Sequence, residues 1–232
     1  MTGAANSSLP AATVLRSVLA KLRDTTPFLV LRNYEDLPED WNNDIDILVA
    51  PTDLERAHAV LVDTLQNVAG AAPVEVMRRI NFRAARLFCA DRVLHIDLYS
   101  AMSKGWAIYA DTSAILAACR PMNPLFDVPA QLHEELLIAA KELFSYGEVR
   151  PRYHARLAGY DPRAARAAAE RIFGTQMTES GLALVARALV DPTVKGRPSL
   201  RLSVLLHFSA AVIWARMRRN GWLVLPEAKE AG

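Results

Sequence analysis

The run 44–50, "DIDILVA", constrains this chain more than any other stretch. Its alternation puts Ile45, Ile47 and Val49 on one face of a strand, and Asp44, Asp46 and Leu48 on the other. Two aspartates at i and i+2 project to the same side, with Cα atoms roughly 6.5 Å apart. A carboxylate in a buried strand is costly unless something stabilises it. The fold must therefore bring a cation, donors or solvent to the polar face of this strand.

The flanking segments say what such a strand belongs to. "PFLVLRN" is short, apolar and β-rich, and "YEDLPEDWNN" reads as a loop. "TDLERAHAVLVDTLQNV" opens with a capping residue, Thr52 or Asp53, and continues as a helix. Upstream, Leu15, Val18, Leu19 and Leu22 recur at helical spacing within residues 10–23, and residues 1–9 read as a disordered tail. Residues 79–88 and 92–99 read as two strands joined by a turn around "CADR", an antiparallel hairpin. In the second of these, Leu94, Ile96 and Leu98 alternate with His95, Asp97 and Tyr99. Beyond them, "DVPAQLHEELLIAAKELFSYG" predicts a long amphipathic helix, followed by helices over 163–173, 179–189 and 200–219. The fold class is α+β: a small mixed sheet with flanking helices over residues 10–127, then an all-helical domain over 128–232.

Asp97 occupies the same kind of strand as Asp46. If the two strands pair, three carboxylates meet at one end of the sheet. Their mutual repulsion raises one another's pKa unless a cation compensates. Hard oxygen ligands of this kind suit Mg2+ or Mn2+, which keep several waters and bridge to substrate phosphates. Two ions held by shared carboxylates would activate an attacking oxygen and stabilise a leaving pyrophosphate. His95, two residues before Asp97, shares its face as a donor, a general base or a packed histidine. No G-x-S-x-G elbow and no G-x-x-x-x-G-K-[ST] loop occurs, which argues against a serine hydrolase and a P-loop kinase.

With "NDIDILV" and "LHIDLY" on the page, residues 28–49 and 92–99 resemble the DNA polymerase beta-type nucleotidyltransferase superfamily. The likeness extends over about residues 10–155. It is nearest to bacterial members with an "LRNYEDLP…DIDLLV" type of start, some of them associated with surface-polysaccharide enzymes. The resemblance implies a nucleotidyltransferase fold and metal-dependent transfer of a nucleoside monophosphate from a nucleoside triphosphate to a small-molecule acceptor, a sugar or sugar phosphate among them. It makes Asp44 and Asp46 ligands of both ions, and Asp97 a third ligand that helps deprotonate the acceptor hydroxyl. The superfamily usually carries Gly-Gly or Gly-Ser after its first strand, whereas this chain has Arg32 and Asn33. Glycine allows close backbone approach to a triphosphate. Arg32 would instead offer a planar fork of donors, and Asn33 its amide. That departure keeps a non-catalytic nucleotide-binding or partner-docking module open, alongside a small-molecule kinase on the same fold.

Lys141 lies on the long helix, whose counterpart in the superfamily often supplies a cation to the triphosphate. Its i±3 and i±4 neighbours are Leu137, Ile138, Phe144 and Ser145, so a snorkelling lysine is the alternative. Arg150, Arg152 and His154 form a basic turn that either binds phosphate or starts a solvated helix.

Charge is uneven: residues 1–150 carry 14 Lys+Arg against 19 Asp+Glu, a net of −5, while 151–232 carry 13 against 6, a net of +7. Such asymmetry suggests two parts with different partners. The basic residues are not interleaved with exposed aromatics and the total charge is only +2, which argues against nucleic acid. Cys89 and Cys119 show no metal or CxxC spacing, and Cys89 reads as a buried thiol. With no signal-peptide pattern at the start, a cytoplasmic location is the default expectation. The apolar block 202–215, followed by Arg216, Arg218 and Arg219, suits a core helix or homodimer face, or else peripheral membrane contact.

Overall fold

The alternation of Ile45, Ile47 and Val49 with Asp46 and Leu48 becomes β2 (Ile45–Val49), a strand in the middle of a mixed sheet. A computed structural model describes residues 7–41, 43–70, 72–104, 107–202 and 223–225. Within them the elements run α1 (Ala11–Thr25), β1 (Phe28–Val30), β2, α2 (Leu54–Ala69), β3 (Val74–Arg79), β4 (Phe82–Phe88) and β5 (Val93–Tyr99). A small ribbon follows, β6 (Ser103–Lys104) with β7 (Ala107–Ile108), then α3 (Thr112–Ala117), β8 (Cys119–Asn123) and β9 (Phe126–Pro129). The helices α4 (Gln131–Tyr146), α5 (His154–Leu157), α6 (Pro162–Phe173) and α7 (Glu179–Ala188) come next, and β10 (Leu223–Leu225) is last.

The main sheet has eight strands in the order β10-β3-β4-β5-β2-β1-β9-β8, more than the small sheet expected. Pairing is parallel between β2 and β5 and between β1 and β9, and antiparallel between β1 and β2 and along β10, β3, β4 and β5. The fold is thus α+β, with helices flanking a mixed sheet. The chain divides into two compact units. One comprises the described residues up to Ser100, with Pro121–Val128 and β10; the other comprises those of Ala101–Arg120 and Pro129–Trp214.

In the first unit, Val14, Leu15, Val18, Leu19 and Leu22 of α1 are buried against the sheet and α2. Each fully buried leucine contributes about 1.5–3 kcal/mol. The sheet offers the same core Ile45, Ile47, Val49, Leu94, Ile96 and Leu98, so Asp46 and Asp97 take the opposite face. Three local expectations are corrected. Asp53 is the N-cap of α2 but its side chain makes no cap hydrogen bond; a 3-10 turn over Pro51–Asp53 intervenes, and Asp53 pairs with Arg56 at 2.7 Å. Residues 79–88 are not one strand: the chain reverses at Asn81, whose φ is 56°, so β3 and β4 form a hairpin. Ser7, placed in the expected tail, is buried and donates its N–H to the Phe88 carbonyl at 2.8 Å.

Pro10 is the N-cap of α1 and offers no side-chain cap; the Asp91 carboxylate, from the β4–β5 turn, accepts the Ala11 N–H at 2.8 Å. Cys89 is a buried free thiol, pushed up to about 11 by burial and by Asp91.

His58 on α2 is 2% exposed, and its Nε2 is buried without a hydrogen-bond partner among the described residues. Burial, with Arg78 and Arg83, lowers its pKa to about 4. The unfolded chain therefore binds a proton at His58 between about pH 6.5 and 4 that the folded chain refuses, so folding stability falls as pH falls through that window. The expected loss from this residue is roughly 2–3 kcal/mol. Urea titrations at pH 7 and 4.5 should show a shallower pH dependence in His58→Leu; an unchanged slope would refute the assignment.

In the second unit α4, α6 and α7 pack together around Leu136, Leu143, Ile172, Phe173, Leu182 and Val185. α4 is less amphipathic than its sequence suggests, because Glu134, Glu135 and Glu142 are buried on it. Arg156 answers Glu134, and Arg150 answers Glu142. No helix among the described residues is long and apolar enough to cross a membrane. The expected helix over 200–219 and its core, dimer or membrane role lie almost wholly outside the described residues.

Candidate metal centre

The parallel pairing of β2 with β5 sets Asp46 opposite Asp97 in register. Residues opposed on neighbouring strands point to the same face about 4.8 Å apart. Asp44, two residues before Asp46, shares that side. One carboxylate oxygen from each of Asp44, Asp46 and Asp97 lies within 4.8 Å of the others. Asp46 and Asp97 are only 3% and 6% exposed, whereas Asp44 is half-buried at the mouth. The convergence that alternation predicted from three positions is present.

A cation from the chain is already in the cluster. β1 runs antiparallel to β2, with Val30 opposite Ile47, and the Leu31 N–H donates to the Asp46 carbonyl at 2.9 Å. That register delivers Arg32 beside Asp46, and its Nε donates to Asp46 Oδ2 in an ion pair. Burial works against the Arg32 charge, but Asp46, with help from Asp44 and Tyr99, raises its pKa overall. Asn33 follows, exposed, with φ of 54°. This left-handed backbone is the one that glycine adopts most readily and that asparagine tolerates best among side-chain-bearing residues.

Asp97 has two neighbours from its own strand. Tyr99 donates its hydroxyl to Asp97 Oδ2 at 3.1 Å. His95 Nε2 stands 2.9 Å from Asp97 Oδ1, a charge contact off the line of a well-formed hydrogen bond. The Asp97 carboxylate raises the His95 pKa; burial opposes this, and Asp44 adds to it. Burial, then the Asp46 and Asp97 charges, push the Tyr99 hydroxyl up strongly, so it stays a donor. Tyr99 is the residue the sequence reasoning left unassigned, although its i+2 spacing from Asp97 already placed it on the same face.

His95 and Asp44 also border an open groove of about 530 Å3, lined besides by Trp41, Asn43, Arg92 and Val93. The Arg92 guanidinium lies 5.0 Å from the Trp41 ring centroid and pairs with Asp40 at 2.7 Å, so the groove wall is braced.

The other basic candidates belong to the second unit. Lys141 is exposed on α4 of the second unit. Arg150 is held by Glu142 through two contacts of 2.5 and 2.6 Å and lies over Tyr146. His154 Nε2 is 2.8 Å from the Val149 carbonyl. Arg150 and His154 thus act in local packing.

Among the described residues, the three carboxylates meet the Arg32 guanidinium and a histidine that is cationic only when protonated. Oxygen donors this close suit a hard divalent ion. No family model, no curated protein and no solved structure matches the chain, so no relative assigns these side chains a role.

Proposed function

We propose that this chain has a nucleotidyltransferase fold and is a divalent-metal-dependent nucleotidyltransferase. It would move a nucleoside monophosphate from a nucleoside triphosphate to a small-molecule acceptor bearing a hydroxyl. The observation that carries the reading is the register of Asp46 with Asp97 on parallel strands, joined by Asp44. Asp44, Asp46 and Asp97 would hold Mg2+ or Mn2+, which supplies charge stabilisation at the phosphoryl oxygens and a more acidic acceptor hydroxyl. The acceptor oxygen bonds to the α-phosphorus, the bond to pyrophosphate breaks, and Asp97 receives the acceptor proton. Tyr99 orients Asp97 by donating to its Oδ2. His95 faces the groove beside Asp44, where an acceptor has room. Arg32 and Asn33 would offer donors to the triphosphate.

A second reading is favoured by one observation, the Arg32–Asp46 ion pair. It makes the cluster a charge network in a nucleotide-binding or docking module that performs no transfer. Incubation with each nucleoside triphosphate, Mn2+ and a panel of sugars and sugar phosphates separates the two. Transfer releases pyrophosphate and adds a nucleoside monophosphate to the acceptor mass. Thermal stabilisation by nucleotide with no pyrophosphate from any acceptor would establish the binding module instead, and a phosphate-sized mass gain would make the protein a kinase.

A further inference from the structure

We infer that Arg32 is a resident counter-cation of the acidic site, and that a divalent ion gains Asp46 as a ligand by displacing it. The inference rests on the proposal that the three carboxylates take a metal. Asp46 is 3% exposed, and the Arg32 side chain that reaches it keeps 30% exposure. Asp46 Oδ2 accepts the Arg32 Nε–H, and an oxygen engaged in a charge-assisted hydrogen bond has less electron density to give a cation. Arginine stays protonated at any working pH, so the competition ends by movement of the side chain. The Leu31–Asp46 backbone bond holds the start of that movement in place. A guanidinium swung off Asp46 presents a fork that matches phosphate oxygens, so one displacement would free a ligand for the metal and offer a donor to the triphosphate.

The test is Mn2+ titration of the nucleotide-free protein, read by electron paramagnetic resonance and by Mn2+-induced thermal stabilisation. The wild type is compared with Arg32→Ser and Arg32→Gln; the glutamine variant keeps a donor to Asp46 without charge and carries the test if the serine variant does not fold. Both variants are expected to bind Mn2+ roughly tenfold more tightly, the factor that corresponds to about one charge-assisted contact. Their stabilisation by Mn2+ should exceed that of the wild type. Equal or weaker affinity in a folded variant overturns the role of Arg32 and leaves the metal reading intact. Absence of Mn2+ binding in all three proteins overturns both.

Discussion

On the proposed nucleotidyltransferase reading, Asp44→Asn is expected to reduce metal-dependent nucleotide turnover by roughly 10³-fold, the equivalent of about 4 kcal/mol of lost transition-state stabilisation. The same variant should unfold at the wild-type temperature or above it. Asp44 is half-buried at the mouth of the cluster, within 4.8 Å of two further carboxylates. Removing its charge relieves repulsion in the metal-free protein while deleting one proposed ligand. Asp46→Asn should lose turnover to the same degree but also lose some stability, because Arg32 then faces a neutral amide where it had an ion pair. The two variants separate catalysis from folding: activity falls in both, and the melting temperature falls only in the second. Wild-type turnover in Asp44→Asn, measured by pyrophosphate release, would remove the metal role.

How much of this site was legible depends on the range of the interaction involved. Alternation is local, so "DIDILV" and "LHIDLY" placed Asp46 and Asp97 on the face away from Ile45, Ile47, Ile96 and Leu98 before any pairing was known. That the strands pair in parallel with Asp46 opposite Asp97 is a tertiary fact. The Arg32–Asp46 pair is another, since it follows from the antiparallel register of β1 and β2. The Asp91 cap on α1 spans 80 residues, and no capping pattern near Pro10 announces it. The β3–β4 reversal was concealed for a different reason: "RRINFR" contains neither glycine nor proline, and Asn81 alone supplies the left-handed residue. Helical spacing found α4, but Asp127–Pro129 of the segment read as helix belong to β9, and α4 begins at Gln131; periodicity also assigns glutamates to solvent. It cannot report that arginines from the following segment cover Glu134 and Glu142.

That last pairing carries the second large effect. Arg150→Met is expected to destabilise the second unit by about 3–4 kcal/mol, toward the lower part of the range for breaking a buried pair because Arg150 remains partly hydrated. The Glu142 side chain is 2% exposed and that of Arg150 34%, and both carboxylate oxygens accept from the guanidinium. Without Arg150, Glu142 must either keep an uncompensated charge among apolar neighbours or take up a proton, and both are costly. Replacing the pair together, Glu142→Leu with Arg150→Met, should recover most of the loss, since an apolar pair carries no desolvation penalty. A double-mutant cycle in urea measures the coupling. If Arg150 instead served as a phosphate site, the single substitution would weaken nucleotide binding and leave the unfolding midpoint in place. The bidentate contact with a buried glutamate predicts the reverse: a lower unfolding midpoint.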